Sequence, residues 1–179
     1  MTKLLLKIAM YLRHRYTKVF ERTVLKKAKH TTQEIQDAKS KLQFFQHKIN
    51  SIADYTRELN NLSSLYPWIS DPLRGLIDWT PSLKNLWVFF CQRTSRDCDD
   101  FSTLAYYTLK EKVKDYEITE WCVLCNKKLK ESHMIVTAQK KGDDVWFVFD
   151  NHGTIMSNKS MDFVFNDLYN CGNLFAKYR

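Results

Sequence analysis

The chain has 179 residues, 44% of them hydrophobic and 14% aromatic, which argues against a disordered polymer and allows one packed domain with or without a helical appendage. Its formal charge of +8 is uneven: residues 1–60 hold 13 Lys or Arg against 5 Asp or Glu, whereas residues 61–179 hold 15 of each. Five cysteines at irregular spacing argue against a disulfide framework and for a reducing, cytoplasmic setting.

The opening LLLKIAMYL does not read as a secretory leader, because it is short, interrupted by Lys7 and followed by Arg13 and Arg15. No run approaches the roughly 18 apolar residues of a membrane span. Leu5, Ile8, Leu12, Val19 and Phe20 lie along one side of a basic helix expected to reach about Lys29. Thr31 with Glu34 three residues on is a capping-box pattern that opens a second helix. In it Ile35, Ala38, Leu42, Phe45, Ile49, Ile52, Thr56 and Leu59 alternate spacings of three and four, a heptad seam. Residues 1–62 are therefore read as a basic helical extension. It can pack as a helical hairpin or on the following domain, self-associate, or dock a protein partner. The charge also permits nucleic acid or an anionic surface without specifying either.

From residue 63 the texture changes. YPWISDPLRG and DWTPS hold all three prolines, marking a boundary loop, and a short helix is expected from about Ser82 to Phe90. CDDFSTLAYYTLKEKV places Phe101, Leu104, Ala105, Leu109 and Val113 at helical spacing. Three strand-like runs follow, at 118–125, 132–138 and 144–150, the last two joined by a tight turn at QKKGD. The tail from 161 to 179 reads as a short helix and a last strand. Residues 63–179 are thus expected to form one α+β domain, a cysteine-bearing helix packed on an antiparallel sheet.

A nucleophilic cysteine needs a base, a group that orients the base, and donors for the oxyanion. Cys98 stands at the first turn of its helix, where unpaired amides and the positive dipole end favour a thiolate. Asp97 is a good N-cap, and Asp99 and Asp100 suit a helix start, although their charge opposes a thiolate. A nearby imidazolium can outweigh them, since paired Cys–His sites reach thiol pKa values of roughly 3–4. His133 sits in an apolar strand where a polar ring needs a reason. Asp150 closes the next strand, 17 residues on, and a hairpin turning near Gly142 can bring it beside His133. Asn151 can fill the same orienting role.

DCDDFSTLAYYTL, SHMIVTA and VWFVFDNHG, in this order, resemble the transglutaminase-like cysteine peptidases, a branch of the papain-like fold. The resemblance covers about residues 66 to 155 and leaves the helical extension unexplained. It implies a papain-like core in which Cys98 is the nucleophile, His133 the general base and Asp150 the orienting carboxylate. DWTPSLKNLW is also similar to a Trp-containing segment these proteins often carry upstream of the cysteine. Arg96 departs from the pattern, standing where the family usually has Gly, and its side chain can crowd the groove. The backbone N–H of Cys98 is one expected oxyanion donor; Gln92, six residues upstream, and Trp79 are rival second donors.

The implied chemistry is acyl transfer on a peptide or protein amide, hydrolytic with water as acceptor and a transamidation with an amine, with neither cofactor nor metal. The competing class is a scaffold or assembly protein that keeps the fold without useful catalysis and works through residues 1–62. Cys122 and Cys125 form a CxxC inside a strand-like run, where alternation points the two thiols to opposite faces, an arrangement unsuited to zinc or a disulfide. His152 reads as a turn residue, and His14, His30 and His47 as solvated positions on the basic helices.

Overall fold

Thr31 begins the long helical part as its composition demands: its hydroxyl accepts from the Glu34 amide and the Glu34 carboxylate accepts from the Thr31 amide. The computed structural model describes residues 4–8, 11–12, 25, 30–69, 82–91, 97–128 and 131–179. Residues 4–8 and 11–12 are helical and are referred to as α1. The second helix of the sequence reading is divided into α2, Thr32–Lys48, and α3, Ile52–Leu65. The break is made by Ser51, which leaves helical geometry and caps α3 by accepting from the Asp54 amide. Ile49 and Ile52, on either side of the break, remain buried, so the apolar seam continues although the helix does not.

A 3₁₀ segment, Leu83–Phe90, is followed by α4, Cys98–Lys112. Then come β1 (Tyr116–Leu124), β2 (Ser132–Lys140), β3 (Trp146–Asp150), β4 (Gly153–Ser157), α5 (Met161–Tyr169) and β5 (Phe175–Lys177). The strands form one antiparallel sheet in the order β4-β3-β2-β1-β5. The β2–β3 turn falls at the expected place, with Gly142 at φ +81°, a conformation that costs glycine nothing. The chain is α+β, with the expected short helix and last strand in its tail; β4 is an added hairpin strand.

The two faces of the sheet are covered differently. One face presents Val136, Ala138 and Phe149 to α4, and α2, α3 and the 3₁₀ segment complete that core with Phe45, Tyr55, Leu59, Phe89 and Phe90. Edge-to-face pairs tie its parts together, Tyr55 to Phe149 at 5.3 Å and Phe89 to Phe101 at 4.9 Å between centroids. Such pairs add about 0.5–1.5 kcal/mol each beyond the area they bury. Residues on both sides of position 62 therefore share one core. The other face presents Val123, Ile135, Trp146 and Val148 to α5, which inserts Val164 and Phe165.

Candidate functional site

The pleat decides which side chains meet at the end of β2 and β3. Val136 pairs with Phe149 and Thr137 with Val148, which carries Asp150 to the level of Ile135 and onto the same face as His133. The His133 Nε2 and Asp150 Oδ2 atoms lie 3.8 Å apart, an ion-pair separation slightly longer than a hydrogen bond. Nε2 faces the carboxylate, so Nδ1 is the nitrogen left to take a proton. The imidazole also packs against the Tyr169 ring on α5, 5.6 Å between centroids.

Asp150 is fixed by the turn that follows it. Its Oδ1 accepts from the amides of His152, at 2.7 Å, and Gly153, at 3.1 Å, while Oδ2 accepts from the Tyr169 hydroxyl at 3.0 Å. Gly153 has φ +149°, a backbone shape L side chains rarely adopt, so the turn that brings both amides to the carboxylate favours glycine. Burial pushes the Asp150 carboxyl up, but His133, the His152 amide and the Tyr169 hydroxyl outweigh it and hold the group below the usual carboxylate range. Burial and the Asp150 charge raise the Tyr169 phenol, which stays protonated and donating.

His133 and Asp150 open onto a cleft of about 360 Å³ whose other walls are Cys125, His152, Leu168 and Tyr169. Cys125 reaches it because β1 ends at Leu124 and the chain turns through Cys125–Lys127, with Asn126 at φ +50°. Burial, and after it Cys171, Glu131 and Asp150, push the Cys125 thiol up, so it is a protonated thiol that depends on a base to react. The strand reading made Cys122 and Cys125 diverge, and they do: Cys122 is buried on the α4 face.

Cys98 occupies the expected start of α4. Asp97 is its N-cap and forms a capping box with Asp100, so the aspartates around the thiol serve the helix. The donor atoms of Asp97, Cys98 and Asp99 lie within 4.8 Å of one another, a set that could reach one cation, although Asp97 is already engaged as the helix cap. Cys98 packs against the edge of a cluster made by Leu6, Cys122, Leu124, Met134 and Ala176. Those strand residues alternate with Val123 and His133, whose register is Cys122 to Met134 and Val123 to His133. The structure thus brings His133 and Asp150 together on the α5 face and places Cys98 against the α4 face. Trp79, Gln92 and Arg96 lie outside the described residues.

Of the cleft residues, Cys125, His152, Leu168 and Tyr169 are not among the site residues expected from the sequence. Tyr169 carries no local signal, being one aromatic in an amphipathic helix; Cys125 was masked by a strand pattern one residue too long. His152 is a turn residue, as its position before Gly153 implied, and its amide is what engages Asp150. With the geometry in view, comparison with known proteins adds no identification: no family model, no curated protein and no solved structure matches the chain.

Proposed function

We propose that the protein catalyses thiol-dependent acyl transfer on an amide bond, with His133 as base and Asp150 as the carboxylate that orients it. The observation that carries the reading is the His133–Asp150 pair on adjacent strands, its carboxylate held anionic, opening onto a cleft that contains a thiol. A thiol proton passes to His133 Nδ1 as sulfur attacks the carbonyl carbon. The C–N bond breaks, the imidazolium returns the proton to the leaving amine, and water or an amine then cleaves the thioester. Hydrolysis is the simpler outcome.

Two cysteines compete for the nucleophile. Resemblance to the transglutaminase-like cysteine peptidases, of papain-like fold, and the helix-start position favour Cys98. Cys125 is favoured by a specific observation: it lines the same cleft as His133 and Asp150. Alkylation with iodoacetamide near pH 6, followed by peptide mapping, separates them. A thiol of this chain that reacts faster than free cysteine, and loses that advantage in His133→Ala, is the nucleophile. If no thiol outpaces free cysteine, the catalytic reading is wrong and the scaffold reading, through residues 1–62, replaces it.

A further inference from the structure

The first 30 residues hold 9 Lys or Arg and a single acidic residue, Glu21, so the whole formal charge of +8 is concentrated there. Within this stretch the described part of α1 carries an outward apolar surface. Leu4, Leu5, Ile8, Tyr11 and Leu12 are each between 45% and 66% exposed, while Leu6 alone is buried, against Cys122, Leu124, Met134 and Ala176. At 100° per residue Leu4, Leu5 and Ile8 fall within an arc of about 100°, and Leu6 points about 100° beyond its edge. Lys7, exposed, flanks the same arc. Among the described residues of the helix Leu6 is the buried one, and Leu4, Ile8 and Leu12 are exposed.

We propose that α1 is a surface-binding helix for anionic lipid bilayers, lying in the interface with Leu4, Ile8 and Leu12 inserted and the positive charge of the same 30-residue segment drawn to the headgroups. An exposed apolar face on a segment whose net charge is +8, with Lys7 beside it, matches a negatively charged interface, which takes up both features at once. Nucleic acid would use the cations and leave five large apolar side chains idle, because its affinity comes from phosphate contacts. A second copy of the chain would bring another +8 segment against the first, and like charge opposes that pairing. No helix among the described residues is long and apolar enough to cross a membrane.

Flotation of the full-length protein with vesicles tests this. Phosphatidylcholine vesicles containing about a third phosphatidylserine are expected to bind at least tenfold more protein than phosphatidylcholine alone, and added salt should weaken the binding. Leu4→Asp combined with Ile8→Asp should reduce binding at least tenfold, with an unchanged circular-dichroism melt because both side chains are exposed. Lys7→Glu, which leaves the apolar face intact, should reduce it by a smaller factor. Equal binding to both vesicle types, or binding indifferent to the Leu4 and Ile8 substitutions, overturns the proposal. So does absence of vesicle binding beside salt-sensitive binding to double-stranded DNA or RNA that the Asp substitutions leave unchanged, which assigns the charge to nucleic acid.

Discussion

Asp150 is held by three donors, two from its own turn and one from α5, and each matters for a different reason. The His152 and Gly153 amides set the direction of the carboxylate, and the Tyr169 hydroxyl engages the oxygen nearest His133. Because its pKa is depressed in the folded state, Asp150 contributes stability that is fully present above the unfolded value of about 3.9 and is lost as pH falls through the lower folded value. Urea unfolding of the wild type should therefore weaken between about pH 5 and pH 3, and Asp150→Asn should show a shallower loss over that window. Equal slopes for the two proteins would remove Asp150 from the acid limb. Much of this residue was legible in the sequence, since the strand period and the Gly142 turn place Asp150 near His133. Its anchoring by Tyr169 was not, because α5 meets the sheet only through long-range packing.

At the scale of elements, β1, α4 and the segment after β5 are joined by a buried charge. Glu120 is fully buried on the α4 face of β1, where its carboxylate accepts from Ser102 at 2.6 Å and from the Arg179 Nε. Arg179 also donates to Tyr107 at 3.0 Å and to Thr103 at 2.8 Å, and lies over the rings of Tyr106, Tyr107 and Tyr178. Burial raises the Glu120 carboxyl, and Arg179 and Ser102 pull against that rise. Removing the cation leaves a buried acid without its counter-charge, so Arg179→Ala should cost about 3–5 kcal/mol in denaturant unfolding. Arg179→Met with Glu120→Gln should recover most of it; a cost below about 1 kcal/mol for Arg179→Ala would mean the pair holds nothing together. The sequence reading identified these elements but not this link. A Glu inside an apolar strand pattern looks solvated until the arginine 59 positions later is folded back onto it.

The whole molecule joins its first residues to its candidate chemistry. Leu6 belongs to the buried cluster against which Cys98 packs, so α1 and the helix-start thiol share one patch of the core on the α4 face. Leu6→Ala should speed alkylation of Cys98 several-fold while leaving Cys125 at its wild-type rate, read by peptide mapping over time. Parallel acceleration of both thiols would instead report general loosening of the fold. The heptad seam of residues 35–59 is absorbed in the same way: Ala38, Phe45, Ile49, Ile52 and Leu59 cover the core shared with α4 and the sheet.

The sequence by itself determined what depends on neighbours along the chain. Capping chemistry placed Thr31 and Asp97 at helix starts, period-two alternation set which strand residues share a face, and Gly142 marked the hairpin. It could not determine which face of the sheet each helix would cover, since both faces carry apolar rows that a helix can bury. Tertiary packing made that choice, setting α4 against Val136 and Phe149 and α5 against Ile135 and Val148. A strand side chain cannot serve both faces, so this choice put the His133–Asp150 pair on the α5 face and Cys122 and Met134, in the cluster that Cys98 packs against, on the α4 face.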